Sequence, residues 1–169
     1  ADRLFCQKLG EQVLGFDDAK AGRRPTDAEH AELRRLLNEA MDAGGCGWSA
    51  QRMLPDGPAS VQRDFDGTPM PTDVMHDDTC RELAGVLRDR NDGFMQMLMI
   101  SGDNKRDQAF YEEMAQISGR PMIMNVVQAF DHRRSEHRDH AGILRIAFVG
   151  AAPAVVLRHR HGRRERPLH

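Results

Sequence analysis

Apolar residues recur along this chain with two different rhythms. After Thr26-Asp27-Ala28-Glu29, the residues Leu33, Leu36, Leu37, Ala40 and Met41 return every three or four positions, opposite Glu32, Arg34, Arg35 and Glu39. That spacing predicts an α-helix with one buried stripe. Thr26 and Glu29 form a capping box, in which each side chain satisfies a backbone N–H of the other residue, and Gly44-Gly45 offers a C-terminal stop. A second helix is predicted from Thr72 or Asp77 to Arg90, with Cys80, Leu83, Ala84 and Leu87 on one face. Its first turn is acidic, where the helix dipole favours negative charge, and Asn91-Asp92-Gly93 ends it. A third follows the Ser101-Gly102-Asp103-Asn104 turn and runs to about Ser118, with Ala109, Phe110, Met114 and Ile117 inward, until Gly119-Arg120-Pro121 breaks it.

Between these helices the rhythm changes. Phe94 to Ile100 and Met122 to Val127 are nearly continuous in apolar residues, the pattern of strands buried on both faces by flanking helices. Cys46 to Gln51 is a shorter strand candidate. The methionines at 95, 97, 99, 122 and 124 alternate along these strands and are expected to fill core space. The order α, β, α, β, α, β with short αβ connections predicts an α/β fold whose parallel strands are joined by right-handed crossovers, as an open doubly wound sheet or as part of a barrel. A chain of 169 residues holds one ordinary core but falls short of the roughly 200 residues of a complete eight-fold β/α barrel.

The segment from Arg52 to Pro71 is rich in Pro, Gly and Asp and has neither periodicity. It follows a strand directly, and in β/α architectures the loops after strands surround the site. It is therefore expected to cover the strand-end face, with Arg52 and Arg63 as donors for a substrate carboxylate.

Charge and cysteine content narrow the classes. Net charge is −2, which gives no reason to expect a nucleic-acid partner. The balance is uneven: from His132 onward there are nine Arg, no Lys and three acids (Glu136, Asp139, Glu165), so the tail carries +6 and the preceding residues −8. Such Arg-, Ala-, Gly-, Pro- and His-rich sequence is read as a basic tail, atypical or disordered, or as a truncated or frame-shifted product of a GC-rich gene. Cys6, Cys46 and Cys80 form neither a C-x-x-C pair nor an even set, so a reduced, cytoplasmic protein is expected. The start lacks the apolar run of a signal peptide. Ala141 to Leu157 is broken by Arg145 and Pro153 and is shorter than the roughly 20 apolar residues of a membrane span, so no membrane contact is expected.

Candidate chemistry is sparse. His132, His137 and His140, near Asp131 and Asp139, are the only local group with ligand types that suit zinc, but Arg133, Arg134 and Arg138 would repel a cation, and solvated surface is the favoured reading. His159-Arg160-His161 is read as surface tail for the same reason. Asp64, Asp66, Asp73, Asp77 and Asp78 lack the spacing of a calcium loop and are assigned to solvation and to a helix N-terminus. Cys46 and Ser49 stand near a strand end without a nucleophile elbow or partner histidine, and are read as a core thiol and a structural hydroxyl.

Taken in order, Gly44-Gly45-Cys46-Gly47-Trp48-Ser49-Ala50-Gln51, a loop, a helix with Glu82-Leu83-Ala84, a strand after Gly93, a helix, and Gly119-Arg120-Pro121-Met122-Ile123-Met124 resemble the amidohydrolase superfamily, in its N-acyl-D-amino-acid deacylase branch. The resemblance covers about Gly15 to His132. It implies consecutive β/α units of a TIM-type barrel over residues 16–132, preceded by an unmatched segment, 1–15, and followed by the tail, 133–169. It further implies zinc or another divalent metal, a metal-activated water, and a small-molecule N-acyl amino acid or related amide as substrate. The family's metal ligands cannot be carried over, because neither Phe94 to Met99 nor Met122 to Val127 contains histidine. The positions that match are polar strand-end residues, Ser49, Gln51, Gln96, Asn125 and Gln128, whose alternative role is ordinary interior hydrogen bonding; of these Ser49, Gln51, Gln96 and Asn125, with Arg52 and Arg63, are the expected substrate contacts. The alternative expectation is a non-catalytic fragment or binding module that shields open strand edges by forming a homo-oligomer.

Overall fold

The computed structural model describes residues 6–53 and 62–124. Within them the elements run α1 (Cys6–Leu14), α2 (Phe16–Lys20), α3 (Asp27–Asp42), β1 (Gly47–Arg52), α4 (Asp77–Arg90), β2 (Phe94–Met99), α5 (Asn104–Ser118) and β3 (Met122–Met124). The fold is mixed α/β. Its sheet has three parallel strands in the order β1-β2-β3, with Trp48 beside Met95, Ala50 beside Met97, and Met97 beside Met124.

The helix boundaries follow the local signals. Thr26 caps α3 and accepts from the Glu29 amide, while the Glu29 carboxylate accepts from the Thr26 amide at 2.8 Å. Asp77 and Asp78 open α4, and Asn91 closes it in the left-handed conformation. Asp103 caps α5 by accepting from the Lys105 and Arg106 amides, and Gly119 ends it.

One dry cluster joins sheet and helices. Trp48, Ala50, Met95, Met97 and Met99 point to the same side of their strands and pack with Leu33, Leu37 and Met41 of α3, Cys80, Leu83 and Leu87 of α4, and Phe110, Tyr111 and Met114 of α5. The methionines thus occupy core space as the alternation predicts. Helix α4 packs against both α3 and α5. Helix α1, within the unmatched segment 1–15, belongs to the same body: it packs on α3 and β1, burying Leu9 with Val13 against the cluster. Leu9 and Val13 are four residues apart, the helical spacing that marks this face in the sequence.

Burial of the strands on both faces is corrected. Ser49, Gln51, Phe94, Gln96 and Leu98, on the side away from the cluster, are only half-buried, and Ile123 of β3 is 47% exposed. Continuous apolar sequence in β2 therefore reflects one dry face and one intermediate face carrying two apolar side chains and a glutamine. Of the expected strand Met122 to Val127, residues 125–127 lie outside the described residues.

A glycine opens β1, Gly47, and another, Gly93, immediately precedes β2, for a steric reason. Gly47 has φ of +131°, and a Cβ built there would overlap the Phe94 carbonyl oxygen; a Cβ on Gly93 would lie 2.7 Å from Met41 Cε and 2.9 Å from the Cys46 carbonyl oxygen. Both backbones sit where a side chain has no room. Replacing Gly47 by Ala is expected to lower unfolding free energy by about 2–4 kcal/mol, through positive-φ strain and displacement of β2. Urea denaturation followed by circular dichroism measures it, and a loss under about 0.5 kcal/mol, the range of an ordinary surface change, would contradict the close approach.

Candidate functional site

The sheet's C-terminal end is framed by two loops, each tied to a buried carboxylate. After β1, Asp73 is 0% exposed and accepts from the Met53 amide at 2.8 Å and the Gln62 amide at 2.7 Å. It thereby joins the strand end to the returning chain from the far side of residues 54–61. Gln51 also hydrogen-bonds to Asp73. Burial pushes the Asp73 carboxyl above its ordinary range against these bonds, which pull it down. After β2, buried Asp107 accepts from the Ser101 amide at 3.0 Å.

Arg52 ends β1 on the helix side of the sheet. It is 1% exposed; its Nη2 donates to the Met75 carbonyl at 2.6 Å and to Asp77 at 2.7 Å, and its guanidinium lies 5.0 Å from the centre of the Phe110 ring. Arg52 Nε and Nη1 have no hydrogen-bond partner among the described residues. The expectation that Arg52 donates to a substrate carboxylate therefore meets a side chain already engaged in holding β1 to α4. Arg63 stays within its own loop, donating from Nη1 to the Gly67 carbonyl at 2.7 Å. Nearby, buried Cys80 has its thiol pushed up to about 11 by burial, and the Tyr111 hydroxyl, accepting from the Met99 amide at 2.7 Å, is pushed up to about 12 by the same cause.

The segment after residue 61 is folded back by its own turn. Arg63 bridges Pro69, the Gly67 amide donates to Asp64, and Phe65 projects at 96% exposure. Lys20, buried at the end of α2, donates to Asp64 at 2.8 Å and Asp66 at 3.2 Å, with its ammonium 4.0 Å from the Phe16 ring. Burial pulls Lys20 down, and its two carboxylate hydrogen bonds more than offset that, leaving its pKa raised. Asp66 is held down to about 2 by the Thr68 hydroxyl and amide and by Lys20.

The polar strand residues gather on the other face of the sheet. Ser49 is registered beside Gln96, which is registered beside Ile123, and Gln51 lies beside Leu98 one step nearer the strand ends. Ser49, Gln51 and Gln96 are thus brought together, whereas Arg52 points to the opposite face by strand alternation. Asn125 and Gln128, and the metal candidates His132, His137 and His140, lie outside the described residues. Among the described residues no group of three His, Cys, Asp or Glu side chains could hold a metal, so these residues do not fit the implied zinc.

Two assignments change. Asp73 is a buried loop anchor rather than a solvated acid, and Cys46 is exposed, leaving Cys80 as the core thiol. The signal for Asp73 was weak: Pro71-Thr72-Asp73 closes a long loop, where Asp commonly bonds backbone N–H groups. Two further residues were missed. His30 Nε2 lies 3.2 Å from Thr79 Oγ1 between α3 and α4, and His76 Nε2 donates to the Gly22 carbonyl at 3.0 Å. His30 is four residues before Arg34 and three before Leu33, and only the second spacing betrays its inward side.

Removing the Asp73 carboxylate by Asp73→Ala strands two amides and is expected to cost about 2–4 kcal/mol, with faster proteolysis between residues 53 and 62. Limited trypsin digestion beside a denaturant titration checks both effects, and wild-type values in each would remove the anchor. Acid acts on the outer contact. The folded pKa of Asp66 is depressed to about 2 from 3.8, so its stabilisation is present above the unfolded value and is lost as pH falls through about 2. Amide exchange at Phe65 and Thr68, compared with a Lys20→Met variant, should show wild-type protection converging on the variant over that interval.

A scan of protein-family models finds none that matches this chain, and neither a search of curated proteins nor one of solved structures finds a match.

Proposed function

We propose that the protein binds small N-acyl amino acids or related amides at the C-terminal end of its sheet, as the substrate-contacting β/α units of an amidohydrolase-type fold. The carrying observation is the row of Ser49, Gln51 and Gln96 on the face opposite the helices. A carboxamide side chain both donates and accepts, which matches the N–H and C=O of an amide bond. Because the Asp73 carboxylate can only accept when ionised, Gln51 gives it an N–H and presents its own oxygen as acceptor. Strands in sequential parallel order, with helices α3, α4 and α5 sharing one dry cluster, support a barrel-like reading over a doubly wound one, in which helices would cover both faces. The hydrolytic step is assigned to none of the described residues.

A second reading rests on the sheet edges. Among the described residues β1 and β3 each pair on one side only, and Ile123 exposes apolar surface beside that edge. A non-catalytic module that associates through β3 would cover both. Calorimetric titration with N-acetyl amino acids, run alongside sedimentation, separates the readings. The first expects saturable binding that weakens about ten-fold in Ser49→Ala and Gln96→Ala, corresponding to about 1.4 kcal/mol for each contact. Absence of binding by a monodisperse dimer favours the second.

A further inference from the structure

The link between α4 and β2 sets a carboxyl group against a backbone nitrogen. Asn91 closes α4 in the left-handed conformation, and Asp92 and Gly93 lead into Phe94. Asp92 is exposed, and its Oδ1 accepts from the Gly93 amide at 2.7 Å. Cγ, the carbon bearing that oxygen, is therefore held within reach of the nitrogen of the next residue. Arg120 pins the turn on both sides of Asp92, donating to the Gly93 carbonyl and to Asn91 Oδ1, each at 3.2 Å. Gly93 brings no side chain to hinder approach to its nitrogen.

We propose that Asp92 and Gly93 form a self-modification site, at which the chain converts its own Asp92 to isoaspartate through a cyclic imide. The Gly93 nitrogen attacks Cγ of the neutral carboxyl group and a C–N bond forms. The nitrogen gives up its proton, the carboxyl OH takes one up and leaves as water, and a succinimide ring remains. Water then adds to either imide carbonyl. Breaking the Cγ–N bond restores aspartate, whereas breaking the bond from the nitrogen to the main-chain carbonyl carbon leaves the backbone running through Cβ and Cγ. One water is lost and one regained, so no oxidant, cofactor or enzyme is required. The fold contributes by holding the reacting atoms together, and orientation alone changes rates by orders of magnitude.

A second Asp-Gly pair shows the same dipeptide in a setting that opposes ring closure. At Asp66-Gly67 the glycine amide donates to the Asp64 carbonyl at 2.9 Å rather than to Asp66, whose carboxylate is tied to Thr68 and Lys20 and held down to about 2. Its nucleophile is occupied and its neutral acid form is scarce. The third pair, Asp56-Gly57, lies outside the described residues. The product at Asp92 has a structural consequence as well. Isoaspartate lengthens the main chain by one carbon immediately before Gly93, where an added Cβ already lies 2.7 Å from Met41 Cε and 2.9 Å from the Cys46 carbonyl oxygen. That insertion is expected to loosen the junction of α4 with β2.

The test holds the folded full chain at physiological temperature and mildly acidic pH for weeks, digests it with trypsin, and labels isoaspartyl carboxyl groups with a protein isoaspartyl methyltransferase and a tritiated methyl donor. Asp92 falls in the tryptic peptide 91–105 and Asp66 in 64–81, so the two sites are read separately. Label in 91–105 is expected to exceed that in 64–81 by about ten-fold or more, and to come within about three-fold of it when the incubation is run in guanidinium chloride. Asp92→Glu keeps the charge but sets the carboxyl carbon one bond further out; it should lose the label while melting as unmodified wild type does. The modified wild-type chain, isolated by chromatography, should melt about 4 °C or more below the unmodified one. Absence of label in 91–105 overturns the proposal. So does equal labelling of the two peptides in the folded chain, or a ratio unchanged by guanidinium; coincident melting of modified and unmodified chains overturns the loosened junction.

Discussion

Strand β1 can lie beside β2 because a glycine opens the first strand, at Gly47, and another immediately precedes the second, at Gly93. Gly47 faces the Phe94 backbone, and Gly93 sits against Met41, Leu87 and the Cys46 carbonyl. That contact sets the strand register, and the register decides which residues share a face. Trp48, Ala50 and Arg52 fall in line with Met95, Met97 and Met99. A shift of β1 by one residue would carry its three inward residues away from the helices and place Ser49 and Gln51 against them instead. Parallel strands also need a crossover, and α4 supplies it while packing against the helices on both sides.

Above this dry layer lies a charged one, and the two are coupled through Arg52. A guanidinium at 1% exposure is tolerated only with its charge compensated. Asp77 provides that compensation from the first turn of α4, a position the helix dipole favours for an acid. The same interaction thus tethers the end of β1 to the start of its crossover helix. Asp73 performs the corresponding task for backbone donors, because the Met53 and Gln62 N–H groups lie beyond the regular ladder and find their acceptors in its carboxylate. One side chain thus ties together the described chain on either side of residues 54–61.

The helices and the order of strands were legible because their signals are local. A capping box, an αL asparagine and a stop glycine act within a few residues, and Thr26, Asn91 and Gly119 occupy those positions. The pairing of Ser49 with Gln96 was legible only as two polar strand positions, since register depends on the Gly47 and Gly93 contacts across 46 residues of chain. The inward placement of Arg52 was hidden for a similar reason. An arginine opening a loop resembles a ligand donor in sequence, and only strand alternation with a distant Asp77 turns it inward. Lys20 carried no signal of its own, because its partners Asp64 and Asp66 lie more than 40 residues away. The apolar run of β2 suggested two dry faces, since Phe94 and Leu98 fill alternate positions with the same chemistry as the methionines.

Two carboxylate contacts hold the loop after β1, and acid affects them in opposite senses. Burial raises the Asp73 pKa, so its protonated form is favoured in the fold relative to the unfolded chain. Protonation of Asp73 consequently does not drive unfolding, and a neutral carboxyl retains an acceptor for an amide. Asp64 is lowered, first by Lys20, and Asp66 is lowered first by Thr68. Protonating these two removes the negative partners of a buried ammonium, which stays charged throughout the acid range. The acid response of this loop is therefore expected to be governed by Lys20 left without counter-charge at the end of α2, rather than by the deeper anchor, with the turn carrying Phe65 loosening from α2 before Met53 and Gln62 lose Asp73.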